Sequence, residues 1–117
     1  MKAQADARRR RPPARAPLDP ETLAANARGA CELLKALSHE KRLMILCLLS
    51  EGEKSVTDIE QALRLRQPAV SQQLARLRAD DLGEARRNGK NIYYSLARSE
   101  VRDIMEALHR AFCKRPK

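Results

Sequence analysis

The chain has 117 residues, of which 43% are hydrophobic, so we expect a single domain. Because the chain contains only one Phe, two Tyr and no Trp, we expect this domain to be mainly helical with an aliphatic core. The formal net charge of +9 favours an anionic partner such as nucleic acid. No apolar run reaches the roughly 20 residues of a membrane span, and no hydrophobic signal segment opens the chain, so we expect a cytoplasmic protein.

The first 17 residues, MKAQADARRRRPPARAP, contain six Lys or Arg, one Asp and almost nothing apolar. Such a segment cannot bury enough surface to offset the entropy of ordering, so we predict a disordered arm over residues 1–17 and a folded domain over 18–117. Two interpretations of the arm stay open. Its arginines contact DNA phosphates or the minor groove, or it is a solubilising tail.

Local signals predict two helices after the arm. Asp19 followed by Pro20 is typical of an N-cap with proline at the first helical position, and the helix then runs to about Leu37. Ser38 is the expected cap of a second helix, from about His39 to Ser50, which Gly52 ends. Three residues of this helix share one face by their spacing: Leu43, Leu46 and Cys47.

A capping box predicts the next helix, since Ser55 and Asp58 have the required spacing and the helix then runs to about Leu63. After the tight connection RLRQ, the segment PAVSQQLARLRADDL predicts a fourth helix with Pro68 in its first turn and Gly83 after its end. Its inward face is expected to consist of Val70, Leu74 and Leu77.

The segment EARRNGKNIYYSL predicts a tight β-hairpin, because Asn88-Gly89 lies between two short alternating runs. The chain then ends in the helix SEVRDIMEALHRAFCK. Its apolar stripe is broad enough to need a partner, and it consists of Val101, Ile104, Met105, Leu108 and Phe112.

Two short helices followed by an Arg-bearing hairpin predict a winged helix-turn-helix, whose second helix enters the major groove. Gln pairs with adenine and Arg with guanine or phosphate, so the outward side chains of that helix are candidates for reading bases: Gln67, Ser71, Gln72 and Arg76. Basic residues of the wing suit phosphates: Arg86, Arg87 and Lys90. Polar helix faces are usually only solvated, but the order of the motifs favours double-stranded DNA as the partner.

The segments LLKALSHEKRLMILCLLSEGEKSVTDIEQAL and QPAVSQQLARLRADDLGEARRNGKNIYYSL resemble the arsenic-repressor/metallothionein-repressor (ArsR/SmtB) family of bacterial homodimeric repressors, over roughly residues 30–113. The resemblance implies a homodimer whose interface is formed by the first and last helices. The expected fold is therefore a dimeric, mainly α winged helix-turn-helix, with four helices, a small β-hairpin and a fifth helix.

Many members of that family sense metals, but other residues occupy the ligand positions here. Where the family has a Cys-x-Cys pair near the start of the first motif helix, this chain has Ser55 and Thr57. Where Asp and His open the terminal helix of the family, it has Arg98 and Glu100. We therefore expect neither metal site and no cofactor.

Cys47 and Cys113 resemble the thiol pair of the reactive-sulfur-sensing (BigR/SqrR-like) branch, in which sulfane sulfur joins two such thiols into a polysulfide bridge. Buried cysteines are usually inert apolar side chains, and this interpretation of Cys47 competes with sensing. Cys31 is a packing residue or a third reactive thiol. His109 is an ordinary surface or interface histidine, or a group that favours the Cys113 thiolate together with Arg110.

The predicted protein is a repressor and not an enzyme. Its dithiol form binds a near-palindromic operator, and a Cys47–Cys113 bridge formed from persulfide donors weakens binding and derepresses sulfide-detoxification genes. One alternative keeps the repressor but replaces the signal with a soft metal or with peroxide acting through a plain disulfide. Others are a small sulfurtransferase, which leaves the DNA-binding motif unexplained, and an architectural DNA-binding protein whose cysteines only pack.

Overall fold

The computed structural model of the chain describes residues 19–112, so the predicted arm and Cys113 lie outside the described residues. By its internal contacts the part of the chain that the structure describes divides after Glu32 into two compact units. None of the helices within residues 19–112 is long and apolar enough to cross a membrane.

Helix α1 spans Pro20–Leu37, as predicted. The Asp19 carboxylate accepts a hydrogen bond of 2.6 Å from the Thr22 amide, which satisfies one of the unpaired donors at the helix start. The same hydrogen bond lowers the pKa of Asp19 below its ordinary value. The predicted N-cap of this helix is therefore confirmed.

Helix α2 spans Glu40–Leu49, and its cap differs from the prediction. His39, not Ser38, is the N-cap, and its imidazole Nδ1 accepts a hydrogen bond of 3.4 Å from the Arg42 amide. The reason is that the turn ending α1 extends through both residues, since the Ser38 amide bonds to the carbonyl of Lys35 and the His39 amide to that of Leu37. The extended residue directly before the helix is then His39.

Strand β1, Lys54–Ser55, precedes helix α3, Val56–Leu63. Both halves of the predicted capping box are present, with the Ser55 hydroxyl and the Asp58 carboxylate each accepting the other's backbone N–H at 3.1 Å. The sequence did not predict β1, which exists through its antiparallel pairing with a later strand.

Helix α4 spans Gln67–Ala79, and Arg64 in a left-handed conformation (φ 55°) makes the turn that separates it from α3. The predicted inward face is confirmed, because all three of its members are buried: Val70, Leu74 and Leu77. Burial of this face fixes which side of α4 is turned outward.

Strands β2, Gly83–Asn88, and β3, Asn91–Leu96, form the predicted hairpin. Asn88 pairs with Asn91, so the loop residues are Gly89 and Lys90, and Gly89 supplies the positive φ of 66° that the turn requires. With β1 the hairpin makes a three-stranded antiparallel sheet in the order β1-β3-β2.

Helix α5 spans Ser99–Phe112 and completes the predicted order of four helices, hairpin and helix. Val101 and Met105 of its apolar stripe are buried, whereas Phe112 is 80% exposed. Among the described residues, the core of the second unit is formed by twelve buried side chains from its helices, its sheet and the connection between α4 and β2: Leu37, Ile45, Leu46, Leu49, Ile59, Val70, Leu74, Leu77, Leu82, Leu96, Val101 and Met105.

Candidate DNA-binding surface and thiol site

The outward face of α4 carries the four predicted base-reading residues. Gln67, Gln72 and Arg76 are exposed, and Ser71 is half-buried. Gln67 Nε2 donates a hydrogen bond of 2.6 Å to Ser71 Oγ one turn along the helix, which orients the amide. Arg76 lies 3.4 Å from the Asp80 carboxylate at the end of α4. The face thus combines amide, hydroxyl and guanidinium groups, the set that reads base edges in a major groove.

The three predicted wing residues have different surroundings. Arg87 and Lys90 are exposed, on β2 and in the hairpin loop. Arg86 is exposed as well, but it makes a two-point ion pair with Glu53, and its guanidinium lies over the ring of Tyr93. The ion pair lowers the pKa of Glu53 and raises that of Arg86, in both cases mainly through the hydrogen bonds between the two side chains.

Arg42 is a buried charged residue that sequence reasoning missed. Its side chain lies on the buried face of α2, and only 7% of the residue is exposed. Its guanidinium donates to the carbonyl of Ala36 near the end of α1 and, at 3.2 Å, to the side-chain oxygen of Gln73 on α4. A cation is favourable at a helix C-terminus, and the second hydrogen bond joins α2 to α4.

A pattern in the sequence could have revealed Arg42. Positions 42, 45, 46 and 49 have the i, i+3, i+4, i+7 spacing of one helix face, and all four are buried. Of the residues predicted to share one face, Leu46 is buried, and Leu43 and Cys47 are half-buried and pack against the core. An Arg in line with three buried aliphatic residues indicates a charge that is paired inside the fold.

Cys47 lies on α2 where that helix meets α5. Its thiol donates a weak hydrogen bond to the Met105 sulfur, with 3.9 Å between the sulfur atoms. Next to it, Arg102 of α5 donates at 2.8 Å to the carbonyl of Ser50, whose own hydroxyl bonds to the carbonyl of Cys47. These contacts hold the end of α2 against α5.

The half-buried Cys47 also borders a surface cleft of about 330 Å³. The other residues that line the cleft include two carboxylates and one guanidinium: Ser50, Glu51, Glu106, His109 and Arg110. A thiol at the edge of the core with an open cleft beside it can be reached by a small reagent.

The remaining thiols are placed differently. Cys31 is exposed on α1. Cys113, the predicted partner of Cys47, follows directly after Phe112 in the sequence and lies outside the described residues. Among residues 19–112, no group of three or more His, Cys, Asp or Glu side chains is arranged to hold a metal ion.

The chain is similar to known bacterial regulators. The family model described as "Bacterial regulatory protein, arsR family" matches residues 39–82. The transcriptional activator HlyU of Vibrio cholerae is 40% identical over 99 residues, which are 85% of this chain and 92% of that protein. The biofilm growth-associated repressor of Xylella fastidiosa is 42% identical over 97 residues, or 83% of this chain and 85% of that protein.

Solved structures agree with the sequence comparison. The structure of reduced HlyU from Vibrio cholerae matches with a TM-score of 0.75 and 41% identity, covering 79% of this chain and 97% of that one. The structure of the transcriptional repressor BigR from Xylella fastidiosa matches with a TM-score of 0.76 and 40% identity, covering 84% of this chain and 100% of that one.

Proposed function

The chain belongs to the arsR family of bacterial regulatory proteins, and we propose that it is a homodimeric repressor whose operator affinity is set by reactive sulfur at Cys47 and Cys113. Its winged helix-turn-helix fold and its role as a transcriptional regulator follow from family membership. The family is one of DNA-binding regulators and not of enzymes. The observation that carries the sensing proposal is the contact of the Cys47 thiol with Met105 on α5, the helix that Cys113 follows in the sequence.

The surface of α4 supports operator binding. Burial of its apolar face turns the amides of Gln67 and Gln72 outward, where they can read base edges while the exposed Arg87 and Lys90 neutralise phosphates. Two such helices in a dimer reach half-sites about one turn of DNA apart, so the operator is expected to be near-palindromic.

Exposed apolar side chains support the dimer. Leu34 on α1 is 57% exposed, and Phe112 on α5 is 80% exposed. Both helices belong to the pair that the family resemblance assigns to the interface. A second copy would remove these side chains from water, which is the main source of free energy for obligate dimers.

The sensing reaction is a thiol–persulfide exchange followed by bridge formation. The Cys47 thiolate attacks the terminal sulfur of a low-molecular-weight persulfide, and the donor leaves as a thiolate with the electron pair of the broken S–S bond. Cys113 reacts with a second donor in the same way. The terminal sulfur of the Cys47 persulfide then attacks the Cys113 sulfur and expels HS⁻, which leaves a trisulfide between the two residues. No separate oxidant is needed.

The bridge has a physical route to the DNA-binding helix. Cys47 and Arg42 lie on the same helix, and Arg42 bonds to Gln73 on α4. A bridge that ties α2 to the segment after α5 therefore acts on a helix that contacts the recognition helix directly. It lowers operator affinity only if the bridged form fits the low-affinity conformation better, because a ligand shifts an equilibrium by its differential affinity.

The experiment treats the reduced full-length protein with a persulfide donor or with hydrogen peroxide, and measures intact mass and DNA affinity for each product. A bridge that contains added sulfur, together with weaker DNA binding, is the expected result with the donor. A product that has lost two hydrogens and gained no sulfur would favour a plain disulfide and a peroxide signal. A bridged protein with unchanged DNA affinity would contradict the proposal.

A redox signal is the second candidate. One of the matching structures is described as reduced HlyU, so redox state is a recorded property of that relative. The mass measurement separates sulfur addition from simple oxidation in this chain. Metal analysis of the purified protein tests the soft-metal signal in the same preparation.

A further inference from the structure

We propose that Arg86 positions the wing and does not bind DNA phosphate, because Glu53 holds it across the ring of Tyr93. The phosphate contacts of the wing are then made by Arg87 and Lys90. This inference rests on the proposed DNA binding through the wing, and it reverses the role that the sequence predicted for Arg86.

The geometry of the ion pair is that of a guanidinium fork on a carboxylate. Arg86 Nε lies 2.9 Å from Glu53 Oε2, and Nη2 lies 2.8 Å from Glu53 Oε1. Two parallel hydrogen bonds of this kind fix direction as well as distance. The Arg86 guanidinium carbon also lies 5.3 Å from the centre of the Tyr93 ring, within cation–π range.

Arg86, Tyr93 and Glu53 lie side by side across the three strands of the sheet. Arg86 on β2 pairs directly with Tyr93 on β3, and Tyr93 pairs with Ser55 on β1. Glu53 immediately precedes β1 in the chain. The ion pair therefore ties the outer strand of the hairpin to the segment that leads into α3. Backbone pairing with β1 already holds the inner strand β3, and the ion pair adds a side-chain link from the outer strand β2, which restricts the direction in which the wing projects.

Charge balance gives a second argument. The Arg86–Glu53 pair is neutral, so it neutralises no phosphate and releases no counterion from DNA. Binding a phosphate would require Arg86 to exchange one anion for another. Arg87 lies opposite Ile92 on the other face of the hairpin, and Lys90 is in the loop, so their charges remain exposed at the end of the wing.

The test is the salt dependence of DNA binding, measured on a duplex selected from a random library by the reduced full-length protein. R87M and K90M are each expected to lower the slope of log affinity against log salt by about 1. R86M and E53Q are expected to weaken binding by about two- to fivefold with the slope unchanged. A positioning role predicts that DNA affinity falls when either member of the pair is replaced.

Other outcomes overturn the inference. A lower slope in R86M, equal to that in R87M, would make Arg86 a phosphate contact. Tighter binding by E53Q would make Glu53 a competitor of DNA, and unchanged binding would leave the pair without a role in DNA recognition. The swapped variant E53R/R86E keeps the net charge of the wild type, so an affinity and a salt slope close to those of the wild type are expected only if the pair acts by position.

The inference and the proposed function fail separately. If the wild-type protein selects no sequence, the repressor proposal fails, but the slopes of R86M and R87M on an arbitrary duplex still decide the role of Arg86. Far-UV circular dichroism of each variant confirms that a changed affinity does not come from unfolding.

Discussion

The sulfur atoms of Cys47 and Met105 lie 3.9 Å apart where α2 contacts α5. Met105 is fully buried, while Cys47 is half-buried beside an open cleft. The thiol is therefore neither inside the core, where it would be inert, nor on an open surface, where any oxidant would reach it. Because the thiol lies at the end of a helix–helix contact, a covalent change at its sulfur alters the packing of both helices.

The first prediction concerns the three thiols. C47S and C113S are each expected to abolish the loss of DNA affinity that a persulfide donor causes, because a bridge needs two sulfur atoms. The measurement is a DNA-binding titration of each reduced variant before and after the donor is added. Reduced C47S should bind DNA nearly as well as the wild type, since Ser is close to Cys in size.

C31S is the matched control, because Cys31 is exposed on α1 and has no place in the proposed bridge. It is expected to respond to the donor as the wild type does. Loss of the response in C31S, or its survival in C47S, would assign the sensing chemistry to a different pair of thiols.

The second prediction concerns Arg42, which is buried and bonds to Ala36 and Gln73. R42M removes a donor from two acceptors that stay largely inside the fold, so the free energy of unfolding should fall by about 1–3 kcal/mol. Urea unfolding measures the difference. R28M, which changes an exposed Arg of α1, should stay within about 0.5 kcal/mol of the wild type. Equal effects of the two variants would show that the Arg42 contacts do not stabilise the fold.

The third prediction concerns the pH dependence of the Glu53–Arg86 pair. The hydrogen bonds from Arg86 lower the pKa of Glu53 in the folded protein. A carboxylate whose pKa is lowered by folding stabilises the fold at pH values above its unfolded pKa. That contribution is lost as the pH falls through the folded pKa, so the pair is intact at neutral pH and breaks only in acid.

An NMR titration of the Glu53 carboxyl carbon tests whether the pKa of Glu53 is lowered in the folded protein. Its midpoint in the wild type should lie below the ordinary value for Glu, and R86M should move it upward. R87M is the control, because Arg87 lies on the other face of the same strand and should leave the midpoint unchanged. The assignment of the shift to Arg86 fails if the midpoint is the same in R86M and in the wild type.

Sequence patterns predicted those features that depend on near neighbours in the chain. The capping box of Ser55 and Asp58 and the hairpin at Asn88-Gly89 involve residues at most three positions apart, so local signals were enough. The cap at His39 was missed because it depends on how the preceding helix ends. Strand β1 was missed because two residues form a strand only when a distant strand pairs with them.

The side-chain partners in the candidate site were less predictable. Arg86 was expected to contact phosphate because a basic hairpin is typical of a DNA-binding wing. Its partner Glu53 lies 33 positions earlier in the chain, and no local spacing indicates that contact. Arg42 shows the reverse case, since its position in line with Ile45 and Leu49 indicated burial but its charge suggested the surface.

The last prediction concerns Gln72, which is exposed on the outward face of α4. A Gln that pairs with a base edge contributes to sequence choice and neutralises no phosphate. Q72A should therefore bind the duplex selected by the wild type more weakly by about 1–3 kcal/mol, with an unchanged salt slope. Selection from a random library by Q72A should show a relaxed preference at one position of each half-site. Q61A, at an exposed Gln of α3, is the control and should change neither measurement. A lower salt slope in Q72A with unchanged sequence preference would place Gln72 on the DNA backbone, and the reading of bases would then fall to other residues of α4.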